Sequence, residues 1–372
     1  MAKNHNEGKT TKKKGSLGGK LLAAALAVAA VIFCGNTFLN SMFNQGEAID
    51  KDIRTAEELK DKVVNILVCG IDYTEGRDFG NTDVMLYVTL DVEGGKVSAL
   101  QLPRDTYIGD DVKTAGSKKI NGVYGHGSEK NKIMNLVKAV NDKLGLSVDH
   151  YVTLDMDALI KMVDWIDWGF EMYVPYPVIM VDKATGNRHT LIEEPGWHQV
   201  NGEYVEAIVR NRNYPGGDSA RLEVQNYFYA SLVKNFMENL NVSDFIKVLP
   251  RFTQYITTDL DLGRIASLAQ FGFSVEYSNM TLIKPEVHGY NVIYDGNSYE
   301  TNILVANKEE WAELLNTYFR PYQDPVAANE LKIPGTTPAG EVTRDFGVVA
   351  TSLRTIGDIL AGTGPAEETP AE

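Results

Sequence analysis

The chain has 372 residues, with 36 Lys and Arg against 50 Asp and Glu and a formal net charge of −14. That length builds a large core in one or two domains, and 44% apolar with 23% charged residues excludes a mainly disordered chain. An acidic body lacks the basic face that sequence-independent nucleic-acid binding needs; two cysteines exclude a disulfide scaffold, and six scattered histidines show no zinc-ligand spacing.

The charge is unevenly placed. Residues 1–20 hold six Lys and one Glu, a net of +5, so the remainder carries −19. Residues 21–39 (LLAAALAVAAVIFCGNTFL) are uncharged, and nineteen residues at about 1.5 Å rise span roughly 28 Å, the thickness of a bilayer's hydrocarbon core. The lysines before the span predict a cytoplasmic N-terminus and an extracellular body. A cleaved secretory signal is the alternative, but the small-x-small pattern near Phe33, Cys34 and Gly35 is poor. Phe33 also argues against a lipoprotein cysteine at Cys34, and Cys69 reads as a packing residue.

Residues 40–60 read as a polar stem. The run Val63–Cys69 predicts a strand buried on both faces, and 84–90 and 97–102 predict a hairpin around Glu93, Gly94 and Gly95. Ile133, Leu136, Val137, Val140 and Leu144 recur at helical spacing, with Gly145 as the stop. Asp155 precedes a second helical pattern running to Ile166, and 170–174 and 178–181 predict strands. Helices flank 211–218, the second running from about Ser219 to Leu240, and Ser243 and Asp261 open two more. The expected fold is α/β, a mixed central sheet flanked by helices, behind an N-terminal transmembrane helix. The expected division is a basic cytoplasmic tail (1–20), a transmembrane helix (21–39), an extracellular stem (40–60), a folded extracellular domain (61–319) and a flexible C-terminal tail (320–372).

Several residues suit chemistry at one end of this sheet. Asp72 follows the first strand and Asp83 precedes the second, across a polar glycine-containing loop; the pair can hold a hard cation such as Mg²⁺, or serve ordinary turn structure. Arg104 and Asp105 end the third strand at the same edge, as a surface ion pair or as part of a site. Lys119 and Asn121 form a weaker signal in a following loop. The strongest constellation is Arg210, Arg212, Asp218, Arg221 and Gln225 around a Pro-Gly-Gly turn. Arginines gathered at a helix N-terminus oppose the helix dipole unless an anion fills the space, and guanidinium forks match phosphate oxygens. Pairing of these arginines with Glu203, Glu206 or Glu223 is the other reading. Carboxylates for a metal and an arginine clamp together suit phosphoryl transfer on a pyrophosphate. No GxxxxGK[ST] loop is present, and nucleoside triphosphates are scarce outside the cell, so a lipid-linked pyrophosphate is favoured over a nucleotide.

These residues lie in blocks at 65–73 with 81–90 (NILVCGIDY, NTDVMLYVTL), 97–108 (VSALQLPRDTYI), 119–127 (KINGVYGHG) and 196–225 (GWHQVNGEYVEAIVRNRNYPGGDSARLEVQ). In order and spacing they resemble the LytR-CpsA-Psr family of bacterial cell-wall proteins. The resemblance implies an α-β-α domain with a tunnel for a polyprenyl tail. It implies transfer of an undecaprenyl-pyrophosphate-linked glycopolymer, such as wall teichoic acid or capsule, to peptidoglycan at the membrane. It also implies Mg²⁺ at Asp72 and Asp83, and pyrophosphate contacts from Arg104, Arg210, Arg212 and Arg221 supported by Gln225. Asp72 or Asp105 would accept the acceptor's proton. Many members carry Arg where this chain has Asn81 and Val224, which removes two cationic contacts unless Arg77 replaces one. A non-catalytic polyprenyl-phosphate or wall-polymer binding protein and a membrane-bound regulator are the alternatives; twenty cytoplasmic residues leave no room for a DNA-reading fold.

Overall fold

A computed structural model of the chain describes residues 44–72, 80–155, 161–164, 169–181, 186–211, 213–215, 218–248 and 255–362. The strands are β1 (Asn44–Gln45), β2 (Val63–Asp72), β3 (Asn81–Asp91), β4 (Lys96–Gln101) and β5 (His150–Asp155), then β6 (Phe170–Val174), β7 (Val178–Val181), β8 (Arg188–Ile192) and β9 (Gly196–Val200). The last six are β10 (Ile256–Thr258), β11 (Met280–Lys284), β12 (Val287–Tyr294), β13 (Thr301–Ala306), β14 (Gly340–Val349) and β15 (Ser352–Thr355). Eight of them form one mixed sheet in the order β1-β10-β5-β2-β3-β4-β11-β15. β2 runs parallel to β5, and antiparallel pairing through β3 makes β4 co-directional with β2; β11 is parallel to β4. Four strands therefore end at one edge, the edge at which β3 begins.

Both faces of the sheet are covered, as the alternation of strand and helix signals predicts. On one face lies α1 (Lys132–Leu144), whose apolar stripe of Ile133, Leu136, Val137, Val140 and Leu144 is buried against Leu67, Cys69, Met85, Tyr87 and Leu100. Gly145 stops it at φ 63°, donating its N–H to the Asn141 carbonyl at 2.9 Å, a left-handed C-terminal cap. Cys69 is fully buried, which pushes its thiol pKa up and leaves it a packing residue. On the other face α3 (Asp218–Asn239), preceded by α2 (Gly202–Arg210), is apolar on two sides. Tyr227 and Ala230 meet the sheet at Met280 and Leu282, while Val224 and Phe228 pack on Phe170, Met172 and Val174 of the β6–β9 pair.

Some expectations need correction. Residues 40–60 are no free stem: from Asn44 they join the body, β1 pairing with β10 and Ile49 burying in the core. Nor does the folded part end near Phe319. Leu331 and Ile333 are buried, β15 pairs with β11, and Ile356 and Ile359 pack beneath the sheet; these apolar residues are sparse among Pro, Gly and Thr but are spaced to reach the core. The helix expected to open at Ser243 spans Val242–Val248, and Asn241 caps it by accepting from the Asp244 N–H at 3.0 Å. The helical pattern after Asp155 needs no correction: Asp155 closes β5, 161–164 are helical, and the rest of that pattern lies outside the described residues. The expected span 21–39 lies outside them as well, and among the described residues no helix is long and apolar enough to cross a membrane.

Polar groups tie the ends of the sheet. Asp149 accepts from the Thr55 N–H at 2.8 Å, the Thr55 hydroxyl at 2.7 Å and the Asn65 N–H at 2.7 Å. Asn65, itself buried, accepts from the Thr89 hydroxyl at 2.8 Å and donates to Thr55 at 3.0 Å. Asp149→Ala leaves buried donors without an acceptor and is expected to lower stability by about 3 kcal/mol, with Asp149→Asn losing about half as much, read from urea unfolding midpoints. The buried Lys143 ammonium of α1 sits 2.6 Å from Asp111 in the loop after β4 and holds that carboxyl below the usual carboxylate range. The folded value is the lower one, so the contribution is present above the unfolded value near about 4 and is lost as pH falls through the folded value. The stability difference between the native chain and Asp111→Asn should therefore be constant above about pH 5 and shrink as pH falls below the unfolded value near about 4 towards the lower folded one, in urea titrations.

Candidate functional site

The site begins with a bulge. Gly70 pairs with Val84 but Ile71 pairs with Thr82, so Asp83 is an extra residue in β3. The extra residue lets Thr82 and Met85 bury on one face, with the Thr82 hydroxyl 3.3 Å from the Met85 sulfur, and leaves Asp83 half-buried at the edge. A bulge of this kind re-aims a side chain where the ladder ends. Gly70 permits it: a Cβ there would stand 3.2 Å from the Val84 Cβ. Asp72 pairs with Asn81, which puts its backbone at the same edge; its side chain lies outside the described residues.

β4 delivers the next residues. Past Gln101 the chain turns at Pro103, whose carbonyl accepts from the Thr106 N–H at 3.0 Å and the Thr106 hydroxyl at 2.7 Å. The turn aims Arg104 back across β3, where its Nη1 donates to Asp83 Oδ1 at 3.0 Å while its Nε lies 3.6 Å from Asp105 Oδ2. Lys119 donates to Asp105 Oδ1 at 2.8 Å. The Lys119 backbone is held by a bridge to Tyr107, in a loop where Ala115 and Lys118 take left-handed conformations (φ 51° and 56°). Asn121 serves through its backbone, donating its N–H to the Arg104 carbonyl at 3.2 Å and accepting from the Thr82 hydroxyl at 3.4 Å.

The opposite wall comes from α3. Arg221, 8% exposed, and Gln225 face the cleft from its first two turns. Gln225 bridges the elements, donating to the Val209 carbonyl at 3.3 Å and facing the Gln101 amide nitrogen at 3.5 Å. Of the glutamates named as alternative partners for the arginines, Glu223 accepts from the Tyr176 hydroxyl and lies 4.0 Å from Arg354. Asp83, Arg104, Asp105, Arg221 and Gln225 thus line one cleft of about 470 Å³, counted out to open solvent. Its inner wall is apolar, with Val84, Leu102, Leu222, Tyr229 and Leu304. Burial pushes the Tyr229 phenol up, and the Arg221 charge partly offsets this.

Arg210 closes α2 and Asp218 opens α3, but their side chains lie outside the described residues, as does all of Arg212 and of Arg77. Sequence reading missed Gln101, Tyr229 and Lys284, which also line the cleft. The one signal for Lys284 was a lysine closing the apolar strand 280–284. The donor chemistry fits a hard divalent cation: one Asp83 oxygen takes Arg104, and the other accepts no hydrogen bond from a described residue. Among the described residues no three His, Cys, Asp or Glu side chains cluster as a metal site, so oxygens from a ligand would have to complete the shell.

Residues 35–317 match the model of the LytR_cpsA_psr family. Biofilm regulatory protein A of Streptococcus mutans is 26% identical over 288 residues, 73% of this chain and 66% of its own length. Polyisoprenyl-teichoic acid--peptidoglycan teichoic acid transferase TagV of Bacillus subtilis is 25% identical over 262 residues, 67% of this chain and 66% of its own length. The chain therefore spans about two thirds of the length of these curated relatives. The crystal structure of B. subtilis TagV aligns with a TM-score of 0.56 at 22% identity, over 70% of this chain and 96% of that one. TagT bound to LIIa-WTA aligns with a TM-score of 0.52 at 21% identity, over 77% and 98%. Both share the mixed sheet between helices. Since the family model covers most of the folded body, including every residue of the cleft, the chain belongs to the LytR_cpsA_psr family.

Proposed function

We propose that this chain is a phosphotransferase that moves an anionic glycopolymer, of the wall-teichoic-acid or capsule type, from an undecaprenyl pyrophosphate carrier to a hydroxyl of peptidoglycan. The observation that carries this reading is the convergence of Arg104 and Arg221 with Asp83 and Asp105 in one cleft whose inner wall is apolar. Such a cleft suits a ligand with an anionic head and a hydrocarbon tail. The name of TagV and the presence of LIIa-WTA on TagT support a teichoic-acid-type donor. The hydrophobic segment 21–39 would hold the body beside the outer leaflet, where such a carrier lies.

In the proposed reaction the peptidoglycan hydroxyl oxygen bonds to the sugar-side phosphorus. The bond from that phosphorus to the bridging oxygen breaks, and undecaprenyl phosphate leaves. A carboxylate of the cluster, Asp72 or Asp105, takes the hydroxyl proton. Arg104, Arg210, Arg212 and Arg221 bind pyrophosphate oxygens and neutralise the charge that grows on the leaving phosphate. Lys119 holds Asp105 in place, Asn121 holds the Arg104 backbone, Asp218 opens the helix that carries Arg221, and Gln225 ties that helix to β4. Mg²⁺ held by Asp72 and Asp83 would supply further positive charge to the pyrophosphate.

The test is transfer of labelled polymer from lipid-linked donor to peptidoglycan fragments by the full-length chain in detergent. Asp83→Ala, Arg212→Ala and Arg221→Met should each lower kcat/KM by about 10²–10³-fold, and chelation should abolish a transfer that added Mg²⁺ restores. Undiminished transfer by Asp83→Ala or Arg212→Ala would overturn the site assignment. Tight lipid binding without product from the native chain would favour a non-catalytic carrier-binding protein.

A further inference from the structure

Lys284 is the last residue of β11, a strand whose Met280, Leu282 and Ile283 are buried. Ile283 pairs in parallel register with Leu100, so Lys284 stands level with Gln101, where β4 leaves the sheet. From there it lines the same cleft as Arg104, Arg221 and Gln225. Three elements distant in sequence thus each bring one cation to a single cleft: the turn after β4, the start of α3 and the end of β11. The two carboxylates that line it, Asp83 and Asp105, already face Arg104. Among the described residues that line the cleft, three cations thus stand with two carboxylates in a chain of net −14, and cations gathered from three elements in a low-dielectric cleft suit an anion.

We infer that Lys284 is a further cationic contact of this site, binding a phosphate oxygen of a polyprenyl pyrophosphate from the end of β11. The inference rests on the phosphotransferase reading and adds a residue and an element to it. The chemistry differs from that of the arginines. A guanidinium fork fixes two oxygens in one plane, whereas an ammonium on a four-carbon stem is a mobile point charge.

The experiment is calorimetric titration of the full-length chain in detergent with geranyl pyrophosphate, at low and high salt. Lys284→Met and Lys284→Gln should weaken binding about tenfold and flatten its salt dependence, because one screened charge contact is gone, while Lys284→Arg should stay within about threefold. Native affinity and salt dependence in both neutral variants, with Arg221→Met still losing affinity, would overturn the assignment of Lys284 and leave the phosphate site standing. A lowered melting temperature in both neutral variants with unchanged salt dependence would mark a structural lysine and overturn it too. Failure of the native chain to bind geranyl pyrophosphate at all would overturn the phosphate reading itself, and the assignment with it.

Discussion

Arg104 lies between two carboxylates, 3.0 Å from Asp83 and 3.6 Å from Asp105, with all three side chains about a quarter exposed. Two carboxylates held that near each other at the edge of a buried sheet repel, and removing either from water costs free energy that a shared cation offsets. Much of the surrounding structure serves this triad. The bulge frees Asp83 from the ladder, and Gly70 makes room for the bulge. The Pro103 turn sends Arg104 back over β3, and the strained loop after it brings Lys119 to Asp105. Remove the central guanidinium and the remaining charges lose their reason to converge.

The second wall depends on a different kind of interaction. α3 is buried on two sides, between the main sheet and the β6–β9 pair, so packing rather than polar contacts sets its position. Close-packed helices move little, and a helix gripped along its length holds its first turns at a fixed distance from the strands it crosses. Arg221 is thus held nearly buried beside the cleft by the packing of the helix that carries it. The half of the site on α3 is positioned by hydrocarbon and the carboxylate half by charge.

This difference explains what could be read from the sequence. The runs of β2 to β4, the stripe of α1 with its Gly145 stop, and the limits of α3 are local patterns, and each appeared where expected. Asp83, Arg104, Asp105, Arg221 and Gln225 were legible because they end or begin such elements. What failed was non-local. Asn44 and Gln45 pair with Thr257 and Thr258 some two hundred residues on, and 352–355 pair with 281–284. Composition windows over 40–60 and 320–360 see mostly polar and turn-forming residues and cannot see those partners. Lys284 escaped for the same reason, since only the parallel register of β4 and β11 places it in the cleft. The departure at Val224 also takes on a different meaning. Val224 is fully buried among the hairpin residues, so a longer charged side chain there would have to leave that core to reach the ligand.

The net charge of the chain and the charge of the cleft have opposite signs, and distance reconciles them. At physiological ionic strength fields decay over about 8 Å, so acidic residues on the far surface contribute little inside a cleft walled by apolar side chains. Field lines between low-dielectric walls come from the nearest charges, here Arg104, Arg221 and Lys284 against Asp83 and Asp105. Cations gathered locally would therefore suffice, on the proposed reading, to draw an anionic head group into a strongly acidic protein. On the proposed reading the acidic body has a further consequence: it would repel the rest of a polyanionic polymer. A phosphate-rich chain would then be held by its head alone, leaving the remainder free in solvent, where an acceptor hydroxyl can reach the one phosphorus that the cleft has fixed.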